Sequence, residues 1–221
     1  MTQSPSISID PSTRDKQKKK FWNRIAKRYA RSPVSDEASY QKKLVETQKR
    51  FTADSTVLEF GCGTGTTALI HAEYIKHIDA VDISENMLAI AEKKREEKQI
   101  SNIRFHTASI ESFQCEKDSH DVVMAHSLLH LLDNKEAAIE KIHQLIKPGG
   151  YFVSSTICMT DGFSFMRFVL PFLRVIGLVP NVEFFSASGL ETTVKNAGFE
   201  IEYRWHPQKN KALFLIARKT Q

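Results

Sequence analysis

The sequence predicts an α/β fold, in which a doubly wound, mostly parallel seven-stranded sheet is covered by helices on both faces. Two observations carry this prediction. Between residues 54 and 157, short segments rich in β-branched and aromatic residues alternate with longer segments of helical periodicity. Near the end of the chain, two strand-like segments are joined by residues 206–211 alone. That connection is too short for a helical crossover, so the last strand is predicted to be antiparallel.

Length and composition indicate one globular domain. The chain has 221 residues, of which 41% are hydrophobic and 26% charged, close to the average for folded proteins. We expect residues 1–13, which are polar and rich in serine and proline, to be disordered, and residues 14–221 to form a single domain. Three scattered cysteines and a polar, lysine-rich start without a signal peptide predict a cytoplasmic protein with reduced thiols.

Two helices are expected to form an N-terminal cap over residues 14–53. Apolar residues from Phe21 to Tyr29 recur on one helical face, which predicts a helix over 16–31, and a second helix is predicted over 36–51. The first helix holds much of the basic charge behind the net charge of +5. Such a patch can attract nucleic acid or anionic lipid, but an ordinary solvated helix face is the favoured interpretation, and no nucleic-acid partner is expected.

The remaining elements follow from periodicity and turn residues. Strands are predicted at 56–60, 78–81, 102–107, 121–125, 151–157, 199–205 and 212–218. Helices are predicted at 65–76, 85–98, 135–146 and 186–196, with a turn at Pro148-Gly149-Gly150 before the fifth strand. Residues 158–185, rich in Phe, Leu and Val, form an apolar insert that we expect to act as a lid.

The most informative motif lies where the first strand ends, because Gly61, Gly63 and Gly65 follow that strand and precede a helix. Glycines at such a turn let the backbone bend tightly and approach a ligand. The spacing is G-x-G-x-G, and Thr66 stands where a dinucleotide-binding fingerprint has its third glycine. Glu59 precedes the glycines, and its negative charge would repel a pyrophosphate and attract a cation.

A second carboxylate, Asp82, ends the next strand, 17 residues after Gly65 (82 − 65). An acidic side chain there can accept hydrogen bonds from the two hydroxyls of a ribose. A nucleoside with positive charge and no phosphate fits both Asp82 and Glu59. S-adenosylmethionine, which combines a sulfonium, an ammonium and an adenosine, is such a ligand, and we predict it as the cofactor. A purely structural turn and a phosphate-bearing nucleotide are the alternatives.

Five motifs, ordered between residues 59 and 150, resemble those of the class I S-adenosylmethionine-dependent methyltransferases of the small-molecule type. They are Glu59-x-Gly61-x-Gly63-x-Gly65, Val81-Asp82-Ile83-Ser84-x-x-Met87, Ala108-Ser109-Ile110-Glu111, the segment 121–131 and Lys147-Pro148-Gly149-Gly150. With the helix around Tyr29, which is similar to a frequent capping helix of the family, the resemblance covers about residues 21–218.

The resemblance implies which residues hold the cofactor. They are Tyr29, Glu59, Gly61, Gly63, Gly65, Asp82, Ile83, Met87, Ser109, Ile110 and His126. The glycine motif would hold the methionine part, Asp82 the ribose, and Ile83 and Met87 the adenine. Ser109 stands where family members commonly carry aspartate, so we expect the backbone of Ile110 to contribute at the adenine edge.

His126 and His130 are the candidates for a catalytic role. They are four residues apart after the fourth strand and could share one face beside the cofactor or the acceptor. Imidazole has a suitable pKa for proton transfer near neutral pH. The alternative is that His126 packs against the methionine part and His130 stabilises the following loop. The cysteines lack partners at zinc-ligand spacing, so no metal is predicted.

The acceptor is predicted to be a small hydrophobic or amphipathic molecule, because in the family the apolar insert often forms the roof of the acceptor pocket. The segment 125–128 reads Ala-His-Ser-Leu, unlike the motif of enzymes that methylate nucleobase or glutamine amines. Arg167 and Arg174 in the insert could meet an acidic group. Packing against the sheet, a peripheral membrane contact and a homodimer contact are the alternatives for this insert.

Three other functions stay open at this point. A protein with this fold could bind S-adenosylmethionine without catalysis, because methyl transfer requires no obligatory catalytic side chain. A nicotinamide-dependent oxidoreductase would use a similar loop, although Glu59 and the missing third glycine argue against it. A nucleic-acid-binding protein would use the basic helix and would bind in a salt-sensitive manner.

Overall fold

The computed structural model describes residues 11–162, 170 and 182–220. Within this part of the chain, seven strands form one sheet. They are β1 (Thr56–Phe60), β2 (His77–Asp82), β3 (Ile103–Thr107), β4 (His120–His126), β5 (Ile146–Ile157), β6 (Phe199–Trp205) and β7 (Ala212–Lys219). Their order across the sheet is β3-β2-β1-β4-β5-β7-β6.

The strand directions confirm the predicted topology. The strands β3, β2, β1, β4 and β5 pair in parallel, whereas β7 is antiparallel to both of its neighbours, β5 and β6. Because the first five strands are parallel, their carboxyl ends lie at one edge of the sheet, and the loops that follow them meet there. That edge is where ligands of open α/β sheets bind.

The helices agree with the sequence pattern, with shifts at their ends. Those with both ends among the described residues are α1 (Pro11–Arg31), α2 (Glu37–Gln48), α3 (Thr66–His71), α4 (Glu85–Glu97), α5 (Lys135–Leu145), α6 (Met159–Gly162) and α7 (Ala187–Asn196). Side chains of Asp36, Ser84 and Ser186 accept the N-terminal backbone hydrogen bonds of α2, α4 and α7, as helix caps do.

Three local predictions are corrected by the structure. Residues 11–13, predicted to be disordered, are helical, since Pro11 suits the first turn of a helix and α1 begins there. The helix predicted at 65–76 ends at His71 and continues as a 3₁₀ turn, Ala72–Tyr74. The predicted turn at 148–150 lies inside β5, because Ile146 is fully buried and already pairs with His120.

Helices cover both faces of the sheet, as a doubly wound fold requires. One face packs against α5 and α7 through residues such as Ile139 and Leu190. The other packs against α3 and α4 through Leu69 and Leu88, and carries Val57 and Met124 from the central strands. The second face also bears the side chains that matter for the site, because residues two apart on a strand share one face.

Hydrogen bonds and an ion pair hold the N-terminal helix α1 against the start of α4, which follows β2. The Asn23 carboxamide oxygen accepts hydrogen bonds from Ser84 Oγ at 2.7 Å and from the backbone N–H of Asn86 at 3.1 Å. Lys19 pairs with Glu85 at the same helix start.

No helix within the described residues has the length and apolar character needed to cross a bilayer. Most of the predicted apolar lid, including Arg167 and Arg174, lies outside the described residues.

Candidate active site

A cavity of about 670 Å³ opens at the carboxyl edge of the sheet. Its walls come from the end of α1, from α2, from the glycine loop and α3, and from the ends of β4 and β5. Among the residues predicted for cofactor binding, the cavity is lined by Tyr29, Glu59, Gly61, Gly63 and His126. Gly65, Asp82, Ile83, Met87, Ser109 and Ile110 are not part of its lining, and they surround the neighbouring ends of β1, β2 and β3.

The glycine loop needs its glycines for two different reasons. Gly63 and Gly65 both have positive φ angles, +55° and +69°, which side chains disfavour. A Cβ on Gly65 would lie 2.8 Å from the Cβ of Ala91 on α4, so that position also requires the absence of a side chain. A Cβ on Gly63 would meet only Tyr29, at 3.9 Å, and would project into space beside the cavity.

Asp82 holds the glycine loop in place. Its Oδ2 accepts a hydrogen bond from the backbone N–H of Gly63, and its Oδ1 accepts one from the N–H of Ser84, both at 2.8 Å. Burial raises the pKa of Asp82 overall, although these two hydrogen bonds act in the opposite direction. A carboxylate has about four acceptor positions, so two remain for the hydroxyls of a ribose.

Glu59 is a buried carboxyl group without a complete set of partners. It is 2% exposed, and its Oε2 finds no hydrogen-bond donor among the described residues. Burial and the nearby charge of Asp82 raise its pKa to about 8. An ion-pair partner or a donor is normally present around a buried carboxylate, so this oxygen, beside the cavity, fits the ammonium group of a ligand.

The predicted adenine contacts lie together beyond Asp82. Met87 and Ile110 are buried, at 2% and 5% exposure, and Ile83 is half-buried. Ser109 forms a local turn in which its backbone N–H donates to Ser112 Oγ at 3.0 Å. Ile83 and Met87 follow the end of β2, while Ser109 and Ile110 follow the end of β3, the adjacent strand.

Tyr29 lies beside Gly63 of the glycine loop, at the end of α1. Its ring packs edge-to-face against Trp22 at 6.3 Å, and burial near Asp82 and Glu59 raises the pKa of its hydroxyl. Half of the Tyr29 surface is nevertheless exposed. The side chain is therefore positioned by α1 at the mouth of the cavity, as a cap residue would be.

The two candidate catalytic histidines are separated by the structure. His126 ends β4 and lines the cavity, and burial, together with the nearby charge of Lys43, lowers its pKa to about 3. His130 does not line the cavity, because the 3₁₀ turn Leu129–Leu131 directs its Nδ1 to Thr156 Oγ1 at 3.0 Å. The expectation that both histidines share one face of the site is wrong.

Sequence reasoning missed three polar residues around the cavity. Lys43 on α2 donates a hydrogen bond to Ser155 Oγ on β5 at 3.2 Å. His71 on α3 is fully buried, and neither ring nitrogen has a hydrogen-bond partner among the described residues. No spacing rule connects α2, α3 and β5, so the sequence held no signal for this grouping. The described residues contain no group of three or more His, Cys, Asp or Glu arranged to hold a metal ion.

Comparisons with known proteins agree with this geometry. A family profile described as a methyltransferase domain matches residues 51–179, more than half of the chain. A demethylmenaquinone methyltransferase of Leptospira interrogans is 34% identical over 145 residues, which cover 60% of this chain and 57% of that protein. A malonyl-[acyl-carrier protein] O-methyltransferase of Bacillus cereus is 32% identical over 143 residues, covering 60% and 52%. The chain thus spans about half the length of these curated relatives.

Solved structures share the fold. The YcgJ protein of Bacillus subtilis superposes with a TM-score of 0.68 at 18% identity, covering 82% of this chain and 99% of that one. The [4+2]-cyclase SpnF superposes with the same score and identity, covering 81% and 80%. The matched profile, with the glycine loop and the seven-stranded sheet, shows that the chain belongs to the class I S-adenosylmethionine-dependent methyltransferases, a family whose cofactor is S-adenosylmethionine.

Proposed function

We propose that the chain transfers a methyl group from S-adenosylmethionine to a small, largely apolar acceptor. The observation that carries this proposal is the buried Glu59 oxygen beside the glycine loop, which lacks a donor among the described residues. A bound S-adenosylmethionine supplies a methyl group on a positively charged sulfur, which makes the thioether a good leaving group. The protein then has to position the acceptor and exclude water.

Each part of the cofactor has residues that would hold it. Glu59 would accept from the ammonium group, and the glycine loop would contact the methionine backbone. Asp82 would accept from the ribose hydroxyls with the acceptor positions that Gly63 and Ser84 leave open. The remaining predicted contacts, at the adenine and at the cavity mouth, are Ile83, Met87, Ser109, Ile110 and Tyr29.

His126, predicted both as a cofactor contact and as a catalytic residue, is proposed to contact the acceptor as well as the methionine part of the cofactor. Its low pKa keeps the imidazole neutral at pH 7, so a ring nitrogen can accept a hydrogen bond from an acceptor hydroxyl. The same low pKa makes it a weak base, which suits an acceptor that needs orientation more than full deprotonation. His130 is proposed to have a positioning role, since its bond to Thr156 fixes the turn that follows β4.

The acceptor class follows from the cavity and from the relatives. Ile157, Trp205 and Ala212 give the cavity an apolar side. The names of two relatives specify a demethylmenaquinone and a malonyl-acyl-carrier-protein substrate, one largely apolar and one acidic. We propose a small-molecule acceptor and, in keeping with three free cysteines, a cytoplasmic location.

A second candidate function is cofactor binding without methyl transfer. The cyclase SpnF shares this fold, so the fold alone does not require methyl transfer. A nicotinamide-dependent oxidoreductase is disfavoured, because a pyrophosphate would leave the buried Glu59 oxygen without a donor, whereas an ammonium group would provide one.

A thermal-melt comparison with S-adenosylhomocysteine, NAD and ATP tests the cofactor. A ligand at about 100 times its Kd stabilises a protein by roughly 2.7 kcal/mol, which corresponds to about 5–10 °C for a chain of this size. We expect such a shift with S-adenosylhomocysteine alone. A shift only with NAD or ATP would overturn the proposal. If the cofactor binds but no acceptor in a broad panel yields S-adenosylhomocysteine, the non-catalytic candidate is favoured.

A further inference from the structure

Lys43 is a half-buried lysine whose charge is not neutralised by a carboxylate of its own. Its hydrogen bond goes to the neutral hydroxyl of Ser155, and no acidic side chain in the described residues lies within ion-pair distance. Asp36, the acidic group that acts on it electrostatically, already accepts from Lys211 Nζ at 3.1 Å and from the N–H of Ser39. Burial lowers the pKa of Lys43, because desolvation disfavours the charged ammonium more than Asp36 favours it.

Two imidazoles near this ammonium are neutral at pH 7, because burial lowers the pKa of both. His126 and His71 both line the cavity, and the positive charge of Lys43 further disfavours the protonated form of His126. Burial lowers the pKa of His71 to about 4. Glu59 is the acidic group on the other side, at the glycine loop. Lys43 is therefore the positively charged group on the β5 side of the cavity, and Glu59 is the carboxyl group at the end of β1.

Lys43 and Ser155 lie on the β5 side of the cavity, beyond His126 at the end of β4. Ser155 is on β5, and β4 separates that strand from β1, which carries Glu59. Phe214 lies opposite Ser155 on β7, and Trp205 lies opposite Phe214 on β6. Trp205 is held by Lys42, whose Nζ lies 4.4 Å from the ring centroid. An apolar wall thus continues from the ammonium toward the far edge of the sheet.

We propose that Lys43 and Ser155, backed by His126, form a carboxylate-binding subsite, and that the methyl acceptor is a small carboxylic acid with an apolar body. The carboxylate would accept from Lys43 Nζ and Ser155 Oγ, and the apolar body would lie along Trp205 and Ile157. The subsite explains why an ammonium is buried without an acidic partner in the described structure. This inference rests on the proposed function, since it assigns the acceptor side of the same cavity.

The test measures melting temperatures with benzoate and octanoate, and with benzamide and octanamide as neutral analogues of the same shape. Each probe is used at 10 mM, with and without saturating S-adenosylhomocysteine, and sodium chloride keeps the ionic strength constant. We expect the acids to raise the melting temperature by about 3 °C and the amides to leave it unchanged. The Lys43→Met variant should lose the response to the acids.

The matched control is Lys49→Met at the end of the same helix, where the lysine is exposed and paired with Glu46. This control should keep the response to the acids. Equal responses to acids and amides, no response to the acids, or an undiminished response in Lys43→Met would each overturn the inference.

A further comparison separates the acceptor's carboxylate from that of the cofactor. S-adenosylhomocysteine has an amino-acid carboxylate, and 5′-methylthioadenosine lacks it. If Lys43→Met weakens S-adenosylhomocysteine binding tenfold but leaves methylthioadenosine binding unchanged, the lysine holds the cofactor and the inference is wrong. Binding of S-adenosylhomocysteine without any response to acids refutes only this inference. Lys43-dependent binding of acids without cofactor binding refutes only the proposed function.

Discussion

The Asp82 carboxylate accepts a hydrogen bond from the backbone N–H of Gly63 at 2.8 Å, and so joins the end of β2 to the glycine loop after β1. The second oxygen of the same carboxylate accepts from the N–H of Ser84, the residue that caps α4. One side chain thereby positions both the loop proposed for the methionine part of the cofactor and the helix start proposed for the adenine.

Replacing Asp82 is expected to affect binding and stability together. Asp82→Ala should weaken S-adenosylhomocysteine binding at least tenfold, about 1.4 kcal/mol, because the proposed ribose contacts are lost. It should also lower the free energy of unfolding by about 1–3 kcal/mol, since two backbone donors lose their acceptor. Calorimetric titration and denaturant unfolding measure the two effects. Glu97→Gln, on the exposed end of α4, is the control. Unchanged affinity would contradict the ribose assignment.

Gly63 and Gly65 provide a matched pair of substitutions. Gly65→Ala should destabilise the protein by about 2 kcal/mol or more, because the new methyl group would lie 2.8 Å from Ala91 and φ is positive. Gly63→Ala should cost about 1 kcal/mol, because only the positive φ opposes it. Gly63→Ala should nevertheless reduce S-adenosylhomocysteine affinity, since its methyl group would project toward the cavity. The pair is measured by unfolding and titration, and equal loss of stability in both variants would contradict this account.

Glu59 is expected to make the free energy of unfolding of the ligand-free protein fall as pH rises. Its pKa is raised to about 8, so the folded state holds this proton more tightly than the unfolded chain does. The contribution of that proton to the free energy of unfolding is fully present below the usual pKa near 4.3, and it is lost as pH rises toward 8. Glu59→Gln should therefore melt higher than the unchanged protein, by a margin that grows from pH 5 to pH 9.

The same variant should bind S-adenosylhomocysteine at least tenfold more weakly, because a neutral amide no longer attracts an ammonium. A gain in stability with a loss of binding distinguishes a ligand-directed carboxyl group from a structural one. Melting curves of Glu59→Gln that run parallel to those of the unchanged protein at every pH would contradict the assignment.

Asp79 provides stability of the opposite pH dependence, away from the cavity. His106 Nε2 lies 2.6 Å from one of its oxygens, and His77 Nε2 lies 3.4 Å from the other. Burial alone would raise the pKa of Asp79, but the surrounding imidazoles lower it far below its usual value. A lowered pKa contributes stability above the unfolded pKa, near 3.9, that is lost as pH falls further.

Asp79→Asn should therefore lower the melting temperature by a few degrees at pH 7, and the difference should shrink below pH 4. S-adenosylhomocysteine affinity should stay unchanged, because Asp79 does not line the cavity. The exposed Asp54→Asn variant serves as the control. A difference that widens toward acidic pH would show that the carboxylate is not stabilised in the folded protein.

Local pattern in the chain was sufficient for the strands, the helices, the glycine loop and the antiparallel end of the sheet. Each of these follows from neighbours in sequence: a period of two or 3.6 residues, a capping side chain such as Asp36, or a connection too short for a crossover. Glu59 beside the glycines predicted a cationic ligand and Asp82 at the end of the next strand predicted a ribose, because each carboxylate follows a strand that the local pattern identifies.

The contact between Lys43 and Ser155 was decided only by the tertiary structure. These residues are 112 positions apart, and a hydrogen bond of 3.2 Å joins α2 to the end of β5. The spacing of His126 and His130 predicts a shared face. The structure separates them, because β4 ends at His126 and the turn that follows directs His130 toward Thr156. Periodicity describes which residues share a face of one element, whereas a site is formed by the packing of several elements, which no local pattern contains.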